Sequence, residues 1–544
     1  MPLANQTGAD EEPFDVVAGR SDIAYFAKHF FPRHCRLNFS ALHEYLFERR
    51  LAKCADEPPN RRGRLDVVMA PRGAAKSTLM SLVFPIHALL YGYDPYIVLF
   101  SATQRQASQR LANIRSMLID NKALARAFPV LAEGKKIPRA STQTLIVGES
   151  RMDAFSAGTE VRGINHGPWR PTWIILDDIE RSDRVRSLLH RDALCEWFDE
   201  VIANLGNGYT NIDLIGTLLH RDALPLRLSS RSDTCFREFA AIESEARNQE
   251  LWDAWRGIFH NLNDPGRIDA ARQFFDERRE EMLEGARVLW PEKEDYYALC
   301  ALRERIGRRA FDKEKQNAPP DGQSPVFSIS KMRYFKLDGD RLICDPVAWN
   351  DDADNARPEV KLSELLVGGF LDSAMGGANG DYAAVATLGI DGAGYMYVLD
   401  IWLEKASPSR QVEVIFDLHA RWNYDLFGVE GTAFQSTITS FFDAERTRRH
   451  QHGQPWQIHP EKIFPRGDKK TRISNIEPFV SRGWLLFNET IGKLFIDQLD
   501  AFPCGRHDDG PDALASAVPL VRERSGKVSS TTVPRRESAR ANAF

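Results

Sequence analysis

The sequence predicts an α/β protein in two parts, on three observations. Between residues 65 and 221, apolar runs of about five residues alternate with helical periodicity, the mark of a parallel sheet covered on both faces. Prolines and a glycine punctuate residues 318–325 and no periodicity crosses them, which marks a linker. Beyond it come three strand-like runs, a helix and a fourth strand, the order of an RNase H-like sheet. A chain of 544 residues is also too long for one hydrophobic core.

Residues 1 to about 20 read as a loose polar leader. Residues 23–51 read as one helix, with aromatic and leucine side chains at three- and four-residue spacing. Strands are expected at 66–70, 97–101, 173–177 and 211–216. A charged, helix-rich stretch follows at 243–317, and its run 276–284 reads as a solvated helix face. In the second part, strands are expected at 367–372, 383–390, 395–401 and 427–430, with a helix at 409–422. From Ser525 the chain is rich in Ser, Thr and Arg without periodicity, so 523–544 is expected to be a disordered tail.

Composition excludes little beyond global disorder: 43% of residues are hydrophobic and 27% charged. A net charge of -5 does not exclude a nucleic-acid partner, because phosphate contact depends on local clusters of Lys and Arg. The seven cysteines are scattered and form no Cys-x-x-Cys pair, so they read as reduced thiols. No basic-then-apolar leader opens the chain, and its most apolar stretch, 79–90, is too short to span a bilayer. A cytoplasmic address and no membrane partner are expected.

The run Val67-Val-Met-Ala-Pro-Arg-Gly-Ala-Ala-Lys-Ser-Thr-Leu79 is a strand, a small-residue loop and a helix start. Small residues let backbone N–H groups face phosphates, and the helix start favours negative charge. Arg72, Gly73, Ala74, Ala75, Lys76, Ser77 and Thr78 are therefore candidates to bind ATP, with Lys76 on the β- and γ-phosphates and Ser77 on Mg²⁺. Ala70 and Ala75 stand where the usual Walker A pattern has glycine. The run Trp173-Ile-Ile-Leu-Asp-Asp-Ile-Glu180 is a buried strand ending in carboxylates, the Walker B arrangement. Asp177 is the Mg²⁺ candidate, while Asp178 and Glu180 compete as catalytic base. Gly216 and Thr217, ending the fourth strand, are candidates to couple hydrolysis to movement. Arg72 and Arg162 are candidates to stabilise the transferring phosphoryl group.

In the second part, Asp372 and Glu430 end strands, and His507-Asp-Asp-Gly-Pro-Asp-Ala513 opens a late helix. Carboxylates so delivered can hold two Mg²⁺ or Mn²⁺ ions for phosphodiester cleavage. Asp509 and Asp512 are three apart and share a helix face, whereas Asp508 faces elsewhere; all three are metal candidates, with Asp509 the catalytic choice. Asp381, in a glycine-rich turn, is a weaker candidate. Lys469, Lys470 and Arg472 form a basic cluster placed to meet DNA phosphate.

As an ordered set these residues resemble tailed-phage terminase large subunits. The resemblance is carried by residues 71–78 with Arg72, by Arg170-Pro171 ahead of Ile-Ile-Leu-Asp-Asp, by Ile215-Gly-Thr217, and by a segment closing on Gln316-Asn317. In the second part it is carried by Asp372, Val429-Glu430, residues 468–473, and Phe502-Pro503 followed by residues 507–513. It implies a P-loop (RecA/ASCE-like) ATPase joined to an RNase H-like nuclease. The expected boundaries are 1–55 for a leader and helical region, 56–317 for the motor with a helical subdomain, 318–361 for the connection and 362–522 for the nuclease. The resemblance further implies double-stranded DNA as substrate, a portal protein and a small terminase subunit as partners, a pentamer on the portal, and action in the host cytoplasm and at the procapsid. Competing readings are an ATP-independent resolvase and a DNA repair motor-nuclease.

Overall fold

The computed structural model describes residues 14–132, 141–185, 187–319, 325–345, 359–374, 381–431, 435–453, 459–464 and 467–528. The chain divides into two compact units, Met1–Arg247 with Gly285–Asp321, and Asn248–Glu284 with Gly322–Phe544.

The first unit is built on seven strands: β1 (Leu65–Met69), β2 (Tyr96–Ser101), β3 (Thr144–Val147), β4 (Ser150–Ser156), β5 (Trp173–Asp177), β6 (Asn211–Gly216) and β7 (Thr234–Glu238). They lie in the order β3-β4-β2-β5-β6-β1-β7, parallel throughout except for the β3–β4 hairpin. β6 is thus interposed between β1, which leads into the phosphate loop, and β5, which ends in Asp177: the RecA/ASCE order. Two short strands, β8 (Ile242–Ser244) and β9 (Arg287–Val288), pair separately.

Alternate residues of the central strands feed two cores. Val68, Ile97, Leu99 and Ile175 belong to one, Val67, Val98, Ile174 and Leu176 to the other. Burial on both faces is why these strands read as unbroken apolar runs. On the first face pack α1 (Val16–Ser21), α2 (Ile23–Phe30) and α3 (Ala41–Cys54); α4 (Lys76–Thr78) continues through a π-turn, Leu79–Val83, into α5 (Phe84–Tyr91), and α6 (Gln104–Asp120) follows β2. The single helix expected over 23–51 is two helices. Pro32 has no N–H to continue the first, and Ser40 with His43 forms a capping box that starts the second. The leader is helical from Val16, where Asp15 accepts from the Val17 and Ala18 amides; residues 1–13 lie outside the described residues.

At the amino-terminal ends of the strands, α3 inserts a layer of buried charge. Lys53 sits between Asp66 at 2.8 Å and Asp213 at 2.5 Å. Arg50 and Arg61 both meet Asp94, and the Arg50 guanidinium stacks 3.8 Å from the Trp173 ring centre.

The second unit carries nine strands: β10 (Arg333–Asp338), β11 (Arg341–Cys344), β12 (Glu359–Lys361), β13 (Leu366–Asp372), β14 (Ala383–Ile390), β15 (Met396–Glu404), β16 (Leu426–Glu430), β17 (Pro460–Ile463) and β18 (Leu485–Asn488). Their order is β12-β11-β10-β18-β15-β14-β13-β16-β17. Within it, β13, β14 and β15 form an antiparallel meander, and β16 and β17 add in parallel beside β13. That is the RNase H-like core, extended past β15 by β18 and a three-strand edge. Helix α7 (Arg308–Lys315) closes the first unit. In the second, α8 (Pro408–Trp422) crosses from β15 to β16, and α9 (Lys469–Ser474) packs on α10 (Asp509–Val528). Helix α10 carries on through residues 523–528, where a disordered tail was expected; residues 529–544 lie outside the described residues, as do 320–324 of the expected linker.

Candidate functional sites

In parallel α/β sheets, ligands gather at the carboxyl ends of the strands. In the first unit Met69 is level with Gly216, Ile215 with Asp177, and Asp177 with Ser101, so four strands end together. The loop from β1 takes left-handed backbone at Gly73 (φ 89°) and at Ala75 (φ 54°) before α4 begins at Lys76. Ala75, standing where glycine is usual, thus adopts a conformation that costs an L-residue about 1–2 kcal/mol.

Lys76 Nζ lies 3.0 Å from Thr217 Oγ1 and 3.8 Å from Asp178. Ser77 donates to Asp177 at 2.9 Å. Asp177 is wholly buried, and burial raises its carboxyl above the ordinary range although Arg110 beside it works in the other direction. Asp178 has φ 48° and faces a cleft of about 670 Å³ lined also by Gly73, Lys76, Ser77 and Thr78. Glu180 is turned to a different task, accepting from the Leu224 amide at 3.0 Å, with burial pushing its carboxyl up to about 7. Geometry therefore places Asp178, and not Glu180, beside Lys76. Arg72 lines the cleft while its Nε pairs with Glu314 at 3.0 Å. Arg162 is exposed, paired with surface carboxylates, 3.2 Å from Glu160 and 3.7 Å from Glu200.

Two partners of Asp177 escaped the sequence reading: Arg110 of α6 and Ser81, both bonded to its Oδ2. Ser81 stands one helical turn beyond Ser77, a spacing that could have shown it. Arg110 lies beside the buried stripe Ala107, Leu111 and Ile114 of α6, a weaker sign. Asn317 fixes the chain just after β6, accepting from the Leu218 amide and donating to Phe239 O, both at 2.8 Å.

In the second unit, β13 and β16 are parallel neighbours with Leu371 level with Val429, so Asp372 and Glu430 end side by side. Helix α10 brings Asp512 to them. Burial first, then the charges of Asp512 and Glu430, push the Asp372 carboxyl up to about 8. Burial likewise raises Asp509 and Asp512. The start of α10 is seated by Gly510, whose amide donates to Gln498 at 3.0 Å; a Cβ there would lie 2.8 Å from the Phe495 ring.

Lys469 lies 2.8 Å from Asp508 and 3.6 Å from both Asp509 and Asp512. Burial disfavours its ammonium, but the Asp508 hydrogen bond and the surrounding carboxylates outweigh burial and raise it. Arg472 meets both oxygens of Asp512 at 2.7 and 2.9 Å. Lys469 and Arg472, expected to face phosphate, are both engaged with carboxylates here, and of the trio only Lys470 is exposed. Asp508 is also not turned away. It precedes the first residue of α10, so helix-face spacing does not govern it. Beside this cluster, ligand atoms of Asp381, His507 and Asp509 lie within 4.8 Å of one another, and buried His507 Nδ1 has no hydrogen-bond partner. Clustered hard oxygens that resist ionisation when bare suit a divalent cation of the Mg²⁺ or Mn²⁺ kind.

No protein-family model and no curated protein matches the sequence. Among solved structures the chain is similar to the large terminase of a thermophilic bacteriophage in complex with ADP, at 9% identity, over 89% of this chain and 99% of that one, with a TM-score of 0.38. It is similar to the large terminase nuclease of thermophilic phage G20c with bound magnesium at 20% identity, over 36% of this chain and 97% of that one, with a TM-score of 0.23. The human cytomegalovirus terminase nuclease domain, manganese-soaked and inhibitor-bound, matches at 16% identity, over 30% of this chain and 85% of that one, with a TM-score of 0.23. Likenesses this distant carry no chemistry over. Among the described residues, no helix is long and apolar enough to cross a membrane.

Proposed function

We propose that this chain is a terminase large subunit: an ATPase that drives double-stranded DNA into a procapsid, joined to a metal-dependent endonuclease that cuts the concatemeric genome. One observation carries the reading. A single chain pairs a phosphate loop, with Lys76 bonded to Thr217 and Ser77 to Asp177, with a separate cluster of Asp372, Glu430 and Asp512 on an RNase H-like sheet. A repair helicase would need a second RecA-like sheet carrying its own arginine finger; among the described residues the second sheet ends in carboxylates instead.

In the motor, Lys76 binds the β- and γ-phosphates, Ser77 and Asp177 hold Mg²⁺, and Asp178 orients the attacking water. Arg72 must leave Glu314 to reach a phosphoryl group, and Gly216 and Thr217 pass the state of the loop to β6. In the nuclease, Asp372, Glu430 and Asp512, with Asp508 and Asp509 beside them, hold two Mg²⁺ or Mn²⁺ ions. The metals, when bound, supply charge stabilisation at the attacking and leaving oxygens. Lys470, the exposed member of the basic trio, meets backbone phosphate. The reading brings with it a portal protein, a small terminase subunit, a pentameric working state and action at the procapsid in the host cytoplasm.

The test is separation of function. Lys76→Ala should remove ATP hydrolysis and packaging into proheads while DNA cleavage persists; Asp372→Asn should remove cleavage while ATP hydrolysis persists. Loss of both activities from either substitution in a folded chain would overturn the two-site reading. An active ATPase that moves no DNA with a matched portal would overturn the packaging role.

A further inference from the structure

Two basic side chains stand among the nuclease carboxylates, and they are held differently. Arg472 is fixed, with one terminal nitrogen on both oxygens of Asp512 and its side chain 18% exposed. Lys469 is 39% exposed and makes one close contact, to Asp508, while Asp509 and Asp512 stand farther off around the same ammonium. Its backbone is pinned, because it opens α9 behind the N-cap Asp468, which accepts from the Thr471 amide at 3.2 Å. The four-carbon stem can therefore swing the ammonium outward without unwinding the helix.

The ammonium and a divalent cation compete for the same oxygens. Metal–oxygen bonds of roughly 2.0–2.6 Å draw on lone pairs that the ammonium now uses, and two cations in the same pocket repel. Among the described residues, Asp372, Glu430, Asp508, Asp509 and Asp512 are opposed by Lys469 and Arg472, with His507 3.8 Å from Asp509, so the bare cluster depends on the lysine for part of its neutralisation.

We propose that Lys469 is a resident counter-cation of the nuclease site, which divalent metal has to displace, so that this lysine sets the metal concentration at which the site becomes competent. The proposal rests on the metal-nuclease reading above. A site built this way holds itself together when bare and stays shut until metal is plentiful.

The experiment is calorimetric titration of the nucleotide-free, full-length chain with Mn²⁺. The difference between the native chain and Asp372→Asn isolates binding at this cluster. Lys469→Met should bind Mn²⁺ about tenfold more tightly than the native chain, a competition of ordinary strength. Lys469→Arg, which keeps the charge, should stay near the native affinity. Lys469→Gln, neutral and polar, should tighten binding as the methionine does even if methionine disturbs the packing of α9 on α10. Unchanged or weaker binding in both neutral variants would overturn the proposal, as would equal tightening by arginine and methionine. If instead the native chain and Asp372→Asn take up Mn²⁺ identically, the metal-nuclease reading itself fails, whatever stands at position 469.

Discussion

Lys76 Nζ donates to Thr217 Oγ1 across 3.0 Å, and the same hydroxyl donates to Ala70 O at 3.1 Å. One side chain at the end of β6 therefore holds the lysine of the phosphate loop and the last carbonyl before that loop begins. Thr217→Val keeps the volume and removes both bonds. A lost hydrogen bond to a charged group is worth about 1.5–3 kcal/mol, so ATP turnover should fall by roughly 10–100-fold, while Thr217→Ser should recover most of it. Steady-state ATP hydrolysis measures this, and a valine variant turning over at the native rate would refute the contact's role.

The left-handed backbone at Ala75 sets a second expectation. Ala75→Gly exchanges a strain of about 1–2 kcal/mol for a flexibility cost of about 0.5–1 kcal/mol. It should leave stability unchanged or up to about 1.5 kcal/mol higher, with ATP hydrolysis intact. Ala75→Val should destabilise the chain and abolish nucleotide binding, since β-branched residues tolerate this region poorly. Denaturant melts of the pair decide it; an equally stable valine variant would show that the loop takes another conformation.

Lys53 neutralises two buried carboxylates at once. Lys53→Ala leaves Asp66 and Asp213 without it in a dry layer, a loss of about 3–5 kcal/mol. The melting transition of the first unit should drop accordingly, with little dependence on salt because the layer is shielded from solvent ions. A strongly salt-dependent loss would mean that water reaches the layer.

Asp372 gives the pH dependence. Its carboxyl is pushed up to about 8 in the bare site, from an ordinary value of 3.8. The folded state thus binds this proton more tightly than the unfolded chain does. The resulting stabilisation is complete below that ordinary value and is lost as pH rises through about 8. Metal needs the carboxylate, so Mn²⁺ affinity should climb by up to about tenfold per pH unit up to about pH 8 and then level off, with one proton released on binding. Titrations at several pH values in buffers of different ionisation enthalpy measure both, and a flat profile would exclude Asp372 as a ligand.

Elements carrying chemistry were the most legible in the sequence. β5, β13 and β16 are apolar runs that stop at Asp177, Asp372 and Glu430, because strands buried on both faces must be apolar until they reach a polar edge. Strands β10, β11, β12, β17 and β18 left no comparable mark. They are three to six residues long, several have every other residue exposed, and their partners lie far away in the chain, as when β18 joins β15 to β10. Pairing of charges was hidden for the same reason. Arg110 and Asp177 are 67 residues apart, and no spacing rule reports which cation a fold will carry to which anion. The Asp508, Asp509 and Asp512 choice was framed by helix periodicity, which stops applying one residue before α10 begins.

The interposed strand β6 has one more consequence. Its Ile215 carbonyl accepts from the Asp178 amide at 2.9 Å, and its Gly216 carbonyl accepts from the Ala70 amide at 2.8 Å. The phosphate-loop arm and the Asp178 arm are thus bolted to successive peptide units of one strand. A change in one arm twists the shared rod between them, and Asn317 clamps the residue just beyond that rod to the last stretch of the unit. On the proposed reading, a nucleotide-dependent shift of either arm reaches the other as torsion of this single strand.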